Sequence, residues 1–167
     1  MPEAVVSALH EWAAESTRGL RVLPPASLHV TLAFLGERPE EEVGAIGEAV
    51  VACASPVRDL ALGRPAALGR GRALSIDLLD PRGECAALQR RVSEALTAIG
   101  AYEPEQRPYR PHLTVARGDR VPVRGLPELP QTGAFDGRAV TLFRSHLGRG
   151  GARYEALVSA SLHVPDR

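Results

Sequence analysis

Two short stretches of this sequence share one pattern and decide the predicted fold. Residues 28–32 read Leu-His-Val-Thr-Leu, and residues 111–115, about half a chain length later, read Pro-His-Leu-Thr-Val. Both alternate polar and apolar residues, which is typical of a β-strand with one face in the core. We therefore predict strands over 28–35 and 112–116, donated by the two halves of a pseudo-symmetric fold.

The paired motif carries the predicted chemistry. Residues two apart face the same side of a strand, so His29 shares a face with Thr31, and His112 shares a face with Thr114. If the two strands lie side by side, their imidazoles and hydroxyls face one site. One histidine can then remove a proton from a nucleophile while the other protonates a leaving oxygen, and the threonines can bind phosphoryl oxygens. This set indicates attack at a phosphodiester and requires no metal.

Two other interpretations of the histidines are possible. Each ring could belong to a structural residue that binds a backbone group, which is the more common outcome for a single match. Two matches, both with threonine and both in apolar surroundings, favour the catalytic interpretation. A zinc site built from His29, His112 and a cysteine is a further alternative, although Cys53 and Cys85 lack ligand spacing.

The remaining pattern mixes helices and strands, and each of the two mid-chain helices follows a strand. This order indicates an α+β or split-sheet fold rather than a sandwich. Residues 118–137 are rich in proline and glycine, so a loop is predicted there. Helices are predicted over 3–15, 39–53 and 84–99, and further strands over 20–23, 58–62, 73–79, 139–147 and 154–164.

Composition excludes several kinds of chemistry. A chain of 167 residues with a net charge of zero gives no global electrostatic reason to bind a long nucleic-acid duplex. All twenty basic residues are arginines, because the sequence contains no lysine. A lysyl-nucleotide intermediate, a P-loop lysine and a Schiff base are therefore excluded. The planar guanidinium of arginine is well suited to phosphate oxygens.

Neither a membrane nor an oxidising compartment is indicated. No apolar run approaches the ~20 residues of a membrane span, and the N-terminal residues lack the basic leader of a secretory signal. Cys53 and Cys85 fall in helix-like segments and are predicted to be buried thiols rather than a disulfide framework. We expect a cytoplasmic monomer.

Three stretches resemble one known family, in the same order along the chain. They are residues 25–36, residues 107–117, and residues 143–148 with 150–154. The sequence resembles the 2H phosphoesterase superfamily, and most closely its RNA 2′,3′-cyclic phosphodiesterases, also called 2′-5′ RNA ligases. The resemblance implies one bilobal α+β domain over 1–167, with pseudo-twofold symmetry, two antiparallel sheets that form a V-shaped cleft, and helices outside.

The resemblance also implies an activity. Family members hydrolyse a 2′,3′-cyclic phosphate to a 2′-phosphomonoester on RNA ends or small cyclic nucleotides, without a cofactor. Carried over, His29 would be the general acid for the departing 3′ oxygen and His112 the general base for water. Thr31 and Thr114 would hold the phosphoryl oxygens.

Three further residues would bind substrate. Arg117 would contact the phosphate, Phe34 would pack against the nucleobase, and Arg144 would support RNA, although a solvated arginine is an equal alternative for Arg144. Arg117 and Phe34 each lie five residues after a motif histidine. A regular strand would turn them to the opposite face, so a bulge or a strand end must redirect them.

The sequence departs from the family in two places. His146 stands where the family usually has an acidic residue. Family members usually begin with an apolar strand before the first helix, whereas this sequence starts at Met1-Pro2-Glu3. We therefore expect the first family strand to be absent, which would leave a sheet edge exposed.

Two other functions on the same fold stay open. ATP-independent 2′-5′ RNA joining is the same chemistry in reverse, and the lack of lysine is compatible with it because a lysyl-adenylate route is excluded. A non-catalytic RNA- or nucleotide-binding module is the other, although a binder does not need a complete proton-transfer pair.

Overall fold

The computed structural model describes residues 1–148 and 151–163. The chain divides into two compact units, each assembled from three segments. Unit 1 comprises Met1–Thr31, Asp59–Pro81 and Arg110–Asp136. Unit 2 comprises Leu32–Arg58, Arg82–Tyr109 and the described part of Gly137–Arg167.

Unit 1 is built around a four-stranded antiparallel sheet with the order β1-β4-β3-β2. One helix, α1, contacts β1 and β4. Its apolar residues recur at helical spacing, and the set Val5, Leu9, Trp12 and Ala13 is buried. The elements of unit 1 are α1 (Glu3–Ser16), β1 (Arg21–Val22), β2 (Ala61–Leu68), β3 (Ala73–Leu79) and β4 (His112–Arg117).

Unit 2 pairs two helices with a two-stranded antiparallel sheet. Helix α2 contacts α3 and both strands. A Cβ added at Gly47 of α2 would lie 3.2 Å from Cγ1 of Val158, so this glycine permits the close approach of helix and sheet. The elements of unit 2 are α2 (Val43–Ala52), α3 (Glu84–Ala98), β5 (Ala139–Gly148) and β6 (Gly151–Ser161).

The prediction of all three helices is confirmed within a few residues of their ends. Helix α3 follows Gly83 and is followed by Gly100, and both glycines have positive φ. The acidic run predicted to open the second helix forms a 3-10 turn, Glu40–Glu42, directly before α2. Both cysteines are buried thiols, as predicted.

Most predicted strands are confirmed, but the strand predicted over 58–62 is displaced to β2. Asp59 has positive φ, so the chain turns there before the extended segment begins. Pro65 can lie inside β2 because β2 is an edge strand, where a missing N–H removes no ladder hydrogen bond. Strand β3 has the predicted bounds. Strand β6 begins a few residues early, and its predicted last residue, Val164, lies outside the described residues.

The strand predicted over 28–35 is wrong. Only Val30 forms a bridge, to Leu113, and the flanking residues are irregular. In the register of this bridge, residues 32–35 lie beyond the first residue of β4, His112, and face residues 108–111, which include two prolines without an N–H. On the other side of the bridge, β1 already pairs with Ala116 and Arg117 of β4. The chain then leaves through the 3-10 turn Pro25–Ser27 and returns next to β4 only at Val30. Residues 32–35 have no ladder partner among the described residues.

The first described element is α1, so no strand precedes it in the part of the chain that the structure covers. Among the described residues, no helix is both long enough and apolar enough to span a bilayer.

Candidate active site

The bridge between Val30 and Leu113 brings the two motifs side by side within unit 1. The pairing is antiparallel, so extending its register by one residue sets His29 opposite Thr114 and Thr31 opposite His112. Residues opposite each other in an antiparallel pair have their side chains on the same face. An antiparallel pair also has a local twofold axis, so the two His-x-Thr motifs are related by a local pseudo-twofold axis at this bridge.

Both motif histidines are held by the same local contact. Nδ1 of His29 lies 2.9 Å from the carbonyl oxygen of Ser27, and Nδ1 of His112 lies 2.7 Å from that of Arg110. A carbonyl oxygen can only accept, so Nδ1 must carry the proton in each ring. Nε2 is therefore the nitrogen that gains and loses a proton in both histidines, which is the requirement for acid–base chemistry.

Burial lowers the pKa of His29 below its usual value of 6.5. The hydrogen bond to the Ser27 carbonyl acts in the opposite direction, while the positive charges of Arg117 and His112 lower the pKa further. The charges of Arg117 and His112 therefore act on His29, which agrees with the bridge that sets the two motifs side by side. In the free protein these effects favour the neutral form of His29 more than in an isolated histidine.

The two threonines have different surroundings. Thr114 is half-buried, and its Oγ1 lies 3.1 Å from Oγ of Ser75 on the neighbouring strand β3. Thr31 is exposed and lies beyond the Val30 bridge in the irregular segment.

Arg117 lies at the end of β4, and a register shift in this strand restores it to the motif face. Ser75 pairs with Thr114 and Ala73 pairs with Arg117, so β4 contains one extra residue, Val115, between these pairs. Ala73 and Ser75 are two apart and share a face of β3. Arg117, opposite Ala73, therefore shares the face of Thr114, and the irregularity required by its spacing from His112 is present.

Phe34 and Arg144 belong to unit 2 and are described there. Phe34 is 75% exposed. Arg144 on β5 donates a hydrogen bond of 2.8 Å to the carboxylate of Glu40. His146, two residues later, lies 2.8 Å from Oε2 of Glu155, and this contact is the main cause of the lowered pKa of Glu155.

Sequence reasoning missed the polar residues of β3 that face the second motif. Asp77 pairs with His112 in the ladder and accepts a hydrogen bond from the Arg110 guanidinium, while the Arg110 carbonyl holds the His112 ring. Ser75 binds Thr114 as described above. The available signal was the pair of polar residues, two apart, in the otherwise apolar run of β3.

Metal binding finds little support in the described part of the chain. No group of three or more His, Cys, Asp or Glu side chains there could hold a metal ion. Both cysteines lie in unit 2, whereas the motif histidines lie in unit 1. The zinc alternative therefore lacks a ligand set among these residues.

Comparison with known proteins identifies the family. A family model described as the 2′-5′ RNA ligase superfamily matches residues 1–149. The chain belongs to the 2′-5′ RNA ligase superfamily. One relative is a Thermus thermophilus protein named RNA 2′,3′-cyclic phosphodiesterase. It is 30% identical over 175 residues, and the match covers 97% of this chain and 86% of the relative. The resemblance inferred from the paired motifs is confirmed.

Solved structures confirm the predicted α+β fold of this 2′-5′ RNA ligase superfamily member. E. coli LigT in its apo form superposes with a TM-score of 0.81 at 23% identity, covering 96% of this chain and 92% of LigT. A Thermus thermophilus crystal structure gives a TM-score of 0.76 at 28% identity, covering 97% of this chain and 93% of that chain. E. coli LigT complexed with 3′-AMP gives 0.79 at 22% identity, covering 97% and 93%.

Proposed function

We propose that this protein is an RNA 2′,3′-cyclic phosphodiesterase, which hydrolyses a 2′,3′-cyclic phosphate to a 2′-phosphomonoester without a metal or cofactor. The observation that carries the proposal is the pair of imidazoles, each anchored through Nδ1, on neighbouring segments that also bear the two threonines. The name of the Thermus thermophilus relative supports the same reaction.

The proposed mechanism is one in-line displacement at phosphorus. Nε2 of His112 removes a proton from water as the water oxygen bonds to phosphorus. The bond from phosphorus to the 3′ oxygen breaks, and that oxygen takes the proton carried on Nε2 of His29. The phosphate stays on the 2′ oxygen, and both rings return to their starting protonation states by exchange with solvent. Each proton transfer of this kind contributes about 10²- to 10⁴-fold to the rate.

The threonine hydroxyls and Arg117 are assigned to the charge that develops on the phosphoryl oxygens. Thr31 and Thr114 lie beside opposite histidines in the register, so they can donate from two sides of one phosphate. Arg117 shares the face of Thr114 and lies near His29. Donors fixed in place before the reaction stabilise a transition state more than donors that must reorient.

The lowered pKa of His29 places a condition on its role as the acid. The ring must be protonated when the 3′ oxygen departs, yet burial and two nearby positive charges oppose this in the free protein. An anionic phosphodiester at the site adds a negative charge next to both Arg117 and His29, and so favours the imidazolium. In this proposal substrate binding itself prepares the acid.

Phe34 and Arg144, both in unit 2, are further candidates for substrate binding. Phe34 presents an exposed ring that can stack on a nucleobase. Arg144 can contact an RNA phosphate if it exchanges its carboxylate partner Glu40. Because the net charge is zero, recognition of an RNA end or a small cyclic nucleotide by a few groups is favoured over binding of a long duplex.

The test is a panel of 2′,3′-cyclic mononucleotides and oligoribonucleotides with cyclic ends. We expect turnover that EDTA does not reduce and a product that carries only the 2′-phosphate, identified by phosphorus NMR. A 3′-phosphate product or loss of turnover in EDTA would contradict the mechanism, and tight binding without turnover would favour a nucleotide-binding module. Accumulation of joined product from tRNA halves would favour ligation, which uses the same groups in reverse.

A further inference from the structure

A buried serine lies beside the second motif, on the same face of the sheet. Ser75 is 0% exposed and lies between the equally buried Leu74 and Ile76 in β3. It is the ladder partner of Thr114, and the two side-chain oxygens are 3.1 Å apart. A hydroxyl inside an apolar strand is costly to bury unless it is hydrogen-bonded, so this contact is the one that satisfies Ser75.

The direction of this hydrogen bond follows from the surroundings of its two partners. Among the described residues, the Ser75 side chain has no other hydrogen-bond partner. If Thr114 donated to Ser75, the proton of the Ser75 hydroxyl would be buried and unpaired, which is the unfavourable outcome. Thr114 is half-buried and can reach water or a ligand. Ser75 is therefore the donor and Thr114 the acceptor.

This direction leaves the proton of Thr114 available to another acceptor. A threonine hydroxyl has a single proton, so a Thr114 that donated to Ser75 would present only lone pairs to a phosphoryl oxygen. When Thr114 accepts from Ser75, its own proton remains available for donation to a phosphoryl oxygen.

We propose that Ser75 is a positioning residue, which fixes the Thr114 hydroxyl as a hydrogen-bond donor to the phosphoryl oxygen of the substrate. The proposal rests on the cyclic phosphodiesterase reaction proposed above. Ser75 does not touch the substrate and acts only through Thr114. Because the contact strengthens as charge develops on the phosphoryl oxygen, its loss lowers kcat more than it raises KM.

A kinetic double-mutant cycle tests the proposal. We expect Ser75→Ala to lower kcat about tenfold on a 2′,3′-cyclic nucleotide, the size of one misdirected hydrogen bond. In a Thr114→Val background, Ser75→Ala should produce no further loss, because the hydroxyl that it orients is already absent. A purely structural role for Ser75 would lower the rate by the same factor in both backgrounds.

Two further variants test whether lost side-chain volume, or the loss of any cross-strand hydroxyl pair, could cause the same effect. Ser75→Cys keeps a side chain of similar volume with a weak donor, so we expect a loss close to that of Ser75→Ala with little change in thermal unfolding. Ser159→Ala is the matched control, because Ser159 and Thr141 form the same cross-strand hydroxyl pair, 2.9 Å apart, in unit 2. This control should keep the wild-type kcat.

The outcomes separate the two proposals. Absence of any turnover by the wild-type protein overturns the proposed function and the role of Ser75 with it. Wild-type turnover with an unchanged kcat in Ser75→Ala and Ser75→Cys overturns the role of Ser75 alone. Equal losses with and without the Thr114 hydroxyl overturn it as well.

Discussion

The two His-x-Thr motifs have the same side chains but different scaffolds. The second lies in β4, within a four-stranded sheet, whereas the first lies in an irregular segment with one bridge at Val30. Nevertheless Nδ1 of each histidine binds the carbonyl two residues upstream, on Ser27 and Arg110. What the motifs share is therefore a local ring contact and one common bridge, and two equivalent strands are not needed to produce it.

The surroundings of the two motifs differ in a way that suits two different roles. Burial and nearby positive charge lower the pKa of His29. On the other side, the Thr114 hydroxyl is held by a buried serine, while Thr31 is exposed to solvent. Symmetric side chains in asymmetric surroundings can serve as an acid and a base of one reaction.

The largest expected effect tests this division of roles between the histidines. We expect His29→Ala and His112→Ala each to lower kcat/KM on a 2′,3′-cyclic nucleotide by about 10³-fold, the value of one general acid or base. On an acyclic nucleotide diester with a p-nitrophenolate leaving group, which needs no proton, His29→Ala should recover most of its loss. His112→Ala should not recover, because water still needs a base.

The exposed His163 of unit 2 provides the control, and His163→Ala should leave both rates unchanged. Recovery of His112→Ala instead of His29→Ala would show that the two roles are exchanged. Equal recovery of both variants would remove the distinction between the motifs.

A smaller effect compares the two threonines. Thr114→Val should lower kcat about 10²-fold, because it removes a preorganised donor, and Thr31→Val only about tenfold, because an exposed hydroxyl is less fixed before the reaction. Steady-state kinetics of both variants measures the ratio. Thr114→Ser and Thr31→Ser keep the hydroxyl and should stay near the wild-type rate. A larger loss at Thr31 than at Thr114 would contradict the proposed support by Ser75.

Much of the fold could be predicted because periodicity and turn residues are local signals. Helix α3 has apolar residues at helical spacing between Gly83 and Gly100, and β3 has an apolar run that ends at a turn. The segment 28–35 has an equally good strand pattern, yet a strand also needs a neighbouring backbone with free hydrogen-bonding groups. Where β4 begins opposite this segment is a property of the folded sheet, and the pattern of residues 28–35 does not contain it.

In the candidate site, too, some residues could be identified from local patterns and others depend on the sheet register. The motif residues could be found because their pattern occurs twice, and Arg117 because of the family resemblance. The face on which Arg117 lies depends on the extra residue Val115 in β4, which only the register with β3 reveals. The polar residues Ser75 and Asp77 distinguish β3 from an apolar strand, but the pairing of Ser75 with Thr114, which is distant in sequence, is known only from the register.

The pH dependence of the rate tests the environment of the first motif. His29 must be protonated to act as the acid, and its pKa in the free protein lies below 6.5. We therefore expect kcat/KM to fall as the pH rises through the weakly acidic range, because kcat/KM reports the free enzyme. The corresponding fall in kcat should occur at higher pH, since the bound phosphodiester favours the imidazolium.

Rate profiles of the wild-type protein and of Arg117→Gln measure this separation. Removing the Arg117 charge removes one cause of the lowered pKa, so the limb of kcat/KM should move to higher pH. A limb that moves to lower pH in this variant, or coincident limbs in kcat and kcat/KM, would show that another group controls the rate.

The smallest expected effect is on stability, and it tests the partly buried environment of His29 independently of catalysis. Its folded pKa lies below the unfolded value of 6.5, so the folded state binds fewer protons than the unfolded state between these two pKa values. This contribution to stability is present above the unfolded pKa and is lost as the pH falls through the folded pKa. Urea unfolding of the wild-type protein and of His29→Gln, from about pH 5 to 8, measures it. We expect the free energy of unfolding to decline less steeply on acidification in His29→Gln. If the free energy of unfolding declined equally in both proteins, His29 would not be desolvated in the folded state. The asymmetry between the motifs would then rest on Ser75 and Thr114 alone.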